Sequence, residues 1–235
     1  MNAGQILLLS TSLLTLLWWG QLLVRQRALI AATGPASWTL GFLLPLPFFA
    51  IPLSLARLGL LADFAKWPPP FFLFVLFMFA LAFAVARAPI VRAFANEIGV
   101  AGLVLFQSFR FLPEAAIAAG VRQGIAPAQL GAGGYNFDVL VACVALLLGV
   151  MMKRHPERFT PPRWALGFQL FGAASLVNIL VIAITSFPTP LQLFAASQSN
   201  EWVAFEPYVL LPGFMVSVAI IGHLLLQQQL SKESP

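Results

Sequence analysis

Residues 103–117 read Leu103-Val-Leu-Phe-Gln107-Ser-Phe-Arg110-Phe-Leu-Pro113-Glu114-Ala-Ala-Ile117. The run is apolar on both sides of a charged pair. Successive residues of a helix turn by about 100°, so Asn96, Leu103, Gln107, Arg110 and Glu114 share one face. A lone guanidinium at mid-bilayer costs at least ~2.5 kcal/mol, and a carboxylate one turn away offsets much of that through a charge-assisted hydrogen bond. The expectation is therefore an inward-facing Arg110–Glu114 pair inside a membrane helix. Pro113 leaves the Phe109 carbonyl without its helical donor, which makes that carbonyl a further expected acceptor beside the guanidinium.

The remainder of the chain has the same character. Of 235 residues, 60% are hydrophobic and 9% charged, and the mean hydropathy is +0.90. That leaves too little polar surface for a water-soluble domain of this size. Each membrane crossing takes about 20 mostly apolar residues. Apolar runs and their Pro, Gly and charge punctuation give seven expected helices, near 5–25, 37–58, 70–87, 95–123, 137–153, 164–186 and 206–229. The fold expected is an all-α polytopic transmembrane bundle of about seven helices, and residues 1–235 form one integral membrane domain.

Charge placement supports that count. Under it Arg25, Arg27, Arg87, Arg92, Lys153, Arg154, Arg158, Arg163 and Lys232 fall on one face, against Arg57, Lys66 and Arg122 near the other. Nine against three puts the N-terminus outside and the C-terminus in the cytoplasm. The basic residues sit at the ends of apolar segments, so the net charge of +5 marks topology and not nucleic-acid binding. The first apolar run has no Lys or Arg before it, the opposite of a secretory signal, and reads as a retained membrane helix. The bacterial inner membrane is the expected location.

Several chemistries fail on missing residues. Cys143 is the single cysteine, which excludes a disulfide framework and any cysteine metal spacing. There is no HExxH and no Gly-x-Ser-x-Gly elbow, and no lysine at mid-helix for a retinal Schiff base. No metal site and no cofactor are expected. His223, on the last helix toward its cytoplasmic end, reads as a satisfied interfacial histidine or, less simply, as a cofactor ligand. Trp67, Trp164 and Trp202 stand at expected helix ends, as interfacial rings do.

The uncharged, Gly-rich stretch 125–136 suits a segment folded back over the bundle mouth. Asp138 opens the fifth helix. It reads as a carboxylate near the N-cap or as one reaching into the bundle to share Arg110, and the two readings are compatible. Ser175, Asn178 and Thr185 form a polar stripe on the sixth helix, as helix–helix glue or as pocket lining. Glu206 faces water or completes an acidic rim above Arg110, and Gln192 lies on the same outer side. The Phe-rich run Phe71–Phe83 reads as lipid-facing or core packing, with an apolar-ligand groove as the alternative.

Three stretches together resemble an uncharacterised family of bacterial multi-pass membrane proteins. Arg110-Phe-Leu-Pro-Glu114 is similar to that family's Arg-x-Pro-x-Glu, and Gly134-Tyr-Asn136-Phe137-Asp138 to its Gly-x-Asn-Phe-Asp. The second stretch is Asn178 with Ser186-Phe-Pro188-Thr-Pro190-Leu-Gln192, and the third runs from Phe205-Glu-Pro207 through Leu211-Pro212 and His223 to Gln229-Leu230. Pro113 stands one residue later than in the family pattern, and Tyr135 replaces an expected Arg. The resemblance implies the same bundle and polar cluster and carries no activity with it.

Three functions follow as expectations. The first is binding or permeation of a small anionic or amphiphilic ligand through an outward-facing pocket of Gln107, Arg110, Glu114, Asn136, Asp138 and Asn178. The second is a membrane-embedded enzyme acting on a lipid or isoprenoid substrate, with Glu114 or Asp138 as general base. The third is a structural or accessory subunit of a membrane complex, in which the Arg110–Glu114 pair fixes helix register and no cavity adjoins Arg110. The expected partners are the lipid bilayer and a membrane protein, and not nucleic acid.

Overall fold

A computed structural model describes residues 5, 6, 9, 10, 43–159, 162–194 and 198–233, and these are helical or irregular with no strand among them. The longer helices among the described residues are α1 (Leu46–Arg57), α2 (Pro70–Ala86), α3 (Pro89–Phe106), α4 (Phe111–Arg122), α5 (Asp138–Arg154), α6 (Pro162–Thr185) and α7 (Val216–Glu233), with a single turn at Pro156–Phe159 between α5 and α6. Most of the expected first helix and residues 37–42 of the second lie outside the described residues.

Proline sets where several helices begin. Pro70 and Pro89 stand at the first helical positions of α2 and α3, where the missing N–H has no intrahelical acceptor to lose and the fixed φ suits the helix. Pro52 is inside α1 and buried, where it packs against the chain at Gly213.

The fourth expected helix is longer and more broken than its apolar pattern indicated. It starts at Pro89, is interrupted at Gly99 (φ 65°, ψ 177°), and tightens to a 3₁₀ turn over Gln107–Arg110 before α4. The backbone at Gly99 is open essentially to glycine alone, which separates Asn96 from the Arg110 face. Asn96 instead accepts hydrogen bonds from Gln229 and Lys232 near the end of α7. The last expected helix starts late. It opens with a π-helical turn, Leu211–Met215, and becomes α-helical at Val216, because Pro212 brings no backbone donor to that turn.

Among the described residues, three helical stretches are long and apolar enough to cross a membrane: Pro89–Arg122, Arg163–Thr185 and Leu211–Lys232. Leu46–Arg57 and Pro70–Ala86 are apolar but shorter. The connecting segments gather at two ends. At one, Phe64 stacks on Phe187 with centroids 4.8 Å apart, Gln129 donates to Ser186 at 2.9 Å, and Arg57 pairs with Glu206 at 2.5 Å. At the other, Gln228 donates to the Ala86 carbonyl beside the two bonds to Asn96. Helices α2, α3 and α6 all pack on α7.

The buried apolar residues form two clusters. Leu103, Val104 and Val141 belong to one, and Ala116, Ile117 and Met215 to the other. Along the chain Arg110 lies between Leu103 and Val104 of the one and Ala116 and Ile117 of the other. Gly99→Ala is expected to destabilise the protein by about 1–3 kcal/mol, whereas Gly167→Ala, on the exposed face of α6 with nothing near its Cβ position, is expected to be neutral or slightly stabilising. Thermal unfolding in mild detergent, followed by helical circular dichroism, checks the contrast.

Candidate functional site

Arg110 is the largest of the fully buried side chains, 1% exposed, and each of its three guanidinium nitrogens has a partner. Nε donates to Gln107 Oε1 at 3.2 Å, Nη1 to Asp138 Oδ1, and Nη2 meets His223 Nε2 at 2.8 Å. The expected Arg110–Glu114 ion pair is therefore corrected. Asp138 holds the guanidinium, because the 3₁₀ turn at Gln107–Arg110 rotates Arg110 away from the position an unbroken α-helix would give it. The Phe109 carbonyl is not among its acceptors.

A guanidinium has only donors, so His223 Nε2 accepts. The imidazole proton then sits on Nδ1, which donates to Gln169 Oε1 at 2.8 Å, while Gln169 Nε2 donates to the His223 carbonyl at 3.1 Å. The reading of His223 as an interfacial residue away from the acidic groups is corrected as well. It is 5% exposed and sits two bonds from Asp138. The neighbouring backbone makes room for it. A Cβ added at Gly172 on α6 would collide with the imidazole, and one at Gly222 on α7 would collide with the Gln107 amide. Gln107 uses that closeness to donate to the Ala219 carbonyl at 3.1 Å.

Asp138 also accepts from Ser175 Oγ at 2.7 Å. Its helix end is capped from two residues upstream, where Asn136 Oδ1 accepts from the Asp138 backbone N–H at 2.9 Å. The carboxylate of Asp138 is thereby free of the capping role and reaches the bundle interior. Asn136 Nδ2 donates to Glu114 Oε1 and Oε2, at 2.8 and 2.9 Å, and to the Leu130 carbonyl at 2.9 Å. One chain of contacts thus joins Glu114, Asn136, Asp138, Arg110, His223 and Gln169 across α4, α5, α3's 3₁₀ extension, α7 and α6.

A cavity of about 350 Å³ adjoins this chain. Arg110, Glu114 and Asp138 form its polar wall, and Phe71, Phe72, Phe79, Ile179 and Met215 are among its apolar lining. The Phe-rich helix α2 therefore has one face on a cavity, while Leu73 and Phe77 on its other side are exposed. Leu76, which also borders the cavity, is 66% exposed, so its rim is open and apolar.

The other expected pocket residues stand elsewhere. Asn178 donates to the Tyr135 carbonyl, and Gln192, exposed in the following loop, donates to the Phe194 carbonyl. These two serve the connecting segments. Glu206 pairs with Arg57 and forms no rim over Arg110. Trp202 is buried, donating to Asn200 at 2.8 Å and packing on Tyr208, in contrast to the exposed Trp67 and Trp164. The Gly-rich stretch does fold back, and its Leu130 lines the cavity. Gln169 escaped the sequence reading. The signal was its three-residue spacing to Gly172 and Ser175, a polar and small stripe on one face of α6.

Among the described residues, no group of three His, Cys, Asp or Glu side chains is placed to hold a metal. The described residues thus form a helical bundle with three stretches long and apolar enough to cross a membrane and a buried polar cluster beside an apolar cavity. No family model, no curated protein and no solved structure matches it.

Removing one partner of a buried ion pair leaves an uncompensated charge, which costs about 3–5 kcal/mol. Asp138→Asn is expected to lose that much, and Arg110→Met in the same chain to recover a large part of it. Urea or thermal unfolding of the two variants in detergent measures both steps.

Proposed function

We propose that this protein binds, or lets pass, a small amphiphilic ligand whose chain fills the cavity and whose polar end meets the Glu114–Asp138 wall. One observation carries the reading: an apolar cavity of ligand size, with a few convergent polar groups, lies beside a buried, ion-paired guanidinium. A purely structural ion pair needs no cavity beside it. Arg110 already has a partner on each nitrogen, which favours the amphiphilic ligand of the two classes expected from sequence over a simple anion clamped by its guanidinium.

Filling the space tests this directly. Ala183→Phe, on the cavity wall, is expected to weaken binding of single-chain amphiphiles by at least about tenfold with helical content unchanged. Native mass spectrometry of the purified chain, run with its co-purifying lipids, provides the measurement. Binding equal to that of the unaltered protein would remove the proposal.

The enzyme reading keeps one supporting feature, that Glu114 lines the cavity and could take a proton from a bound substrate. Turnover in a lipid-extract assay, lost in Glu114→Gln, would select it.

The proposed setting is a bacterial inner membrane, crossed seven times with the N-terminus outside. The nine-to-three charge bias and the gathering of segments 58–69, 123–137, 186–194 and 198–210 at one end favour it. In a Cys143→Ser background, Ala132→Cys is expected to react with an impermeant maleimide on intact cells, and Arg158→Cys only after the cells are opened. Both positions are exposed, and labelling in the reverse order would overturn the orientation.

A further inference from the structure

We propose that the ligand's head group is a cation with N–H donors, an alkylammonium, anchored on Glu114. This rests on the cavity reading above and adds the chemical class of the ligand.

The argument begins with charge. The polar wall holds one guanidinium and two carboxyl groups, and the guanidinium is in contact with only one of them, Asp138. Among the described residues no Lys, Arg or His forms an ion pair with Glu114. Yet Glu114 is 7% exposed, and a buried carboxylate without a cation is costly.

The geometry at Glu114 points the same way. A single donor nitrogen, Asn136 Nδ2, lies nearly equidistant from both carboxyl oxygens. A carboxylate has about four lone-pair sites, and the Asn136 contacts use two. The others have no protein donor among the described residues, and Glu114 lines the cavity. A group that completes this shell from the cavity side must donate hydrogen bonds, and one that also balances the charge must be positive. An ammonium does both, and a carboxylate or phosphate head group does neither. Beyond it, the lining is almost entirely aliphatic and aromatic, with an exposed apolar rim at Leu76. A volume of about 350 Å³ lies at the small end of ligand pockets, which suits one chain.

The test compares three probes of equal chain length, dodecylamine, dodecanol and dodecanoate, on the full chain in detergent at neutral pH. Native mass spectrometry reads their affinities, with Ala183→Phe subtracting adsorption outside the cavity. The amine is expected to bind about tenfold more tightly than the alcohol, and the carboxylate more weakly than either. In Glu114→Gln the amine's advantage over the alcohol should vanish. Dodecanoate binding as tightly as dodecylamine, or an amine preference that survives in Glu114→Gln, would overturn the head-group assignment and leave the cavity reading standing. Binding of all three unaffected by Ala183→Phe would instead overturn the cavity reading itself. The probe series on the unaltered protein decides the head group even if Glu114→Gln does not fold.

Discussion

A guanidinium that has lost its water must be given back every hydrogen bond and its counter-charge by the protein. Around Arg110 that requirement draws in Gln107 from its own turn, Asp138 from the start of α5 and His223 from α7, with Ser175 and Gln169 of α6 holding the last two in place. Apart from Gln107, these groups reach Arg110 from distant parts of the chain. The cluster therefore ties the mutual position of four helices to a set of hydrogen bonds, in a setting where apolar contact alone discriminates poorly between one helix packing and another.

The extent of helix was legible from apolar runs and punctuation. Pro70 opens a helix where the sequence placed one, by the chemistry of proline, whereas the helix from Pro89 opens six residues ahead of the expected 95. The broken interior of the long helix was not legible, because Gly99 and the 3₁₀ turn at Gln107 look like ordinary members of an apolar helical pattern. That break is also why the charge partner was misjudged. Ideal 3.6-residue geometry points Arg110 at Glu114, whereas the tightened turn points it at Asp138. Five of the six expected pocket residues do join one hydrogen-bonded chain. Asn178 does not, since its spacing on α6 places it one turn too near the loop end, where it holds the Tyr135 carbonyl.

His223 was singled out in the sequence but placed at the wrong depth. Depth estimated from helix ends put it near the membrane surface, but the last helix begins five residues later than its apolar run and its first turn is a wide one. Both shifts carry His223 toward the middle of the bundle. π-helical turns often occur where a helix must present side chains out of ordinary register, and Leu211–Met215 lies against the cavity on one side and leads to the cluster on the other. The aromatic face of α2 belongs to the same picture. Hydrophobicity made it conspicuous in sequence without saying which rings would meet lipid and which would meet a cavity.

Gly172 and Gly222 carry no polar group, yet they decide how near α6 and α7 come to the cluster. At each, the place where any other residue would keep its first side-chain carbon is occupied by a cluster member, the His223 ring or the Gln107 amide. Shifting either helix along its axis by one residue would bring a neighbour's side chain into that occupied volume, so the pair has a single axial alignment in which the polar side chains fit. Two missing methyl groups thus act as a detent, locking the sliding coordinate that a smooth apolar helix interface would leave loose.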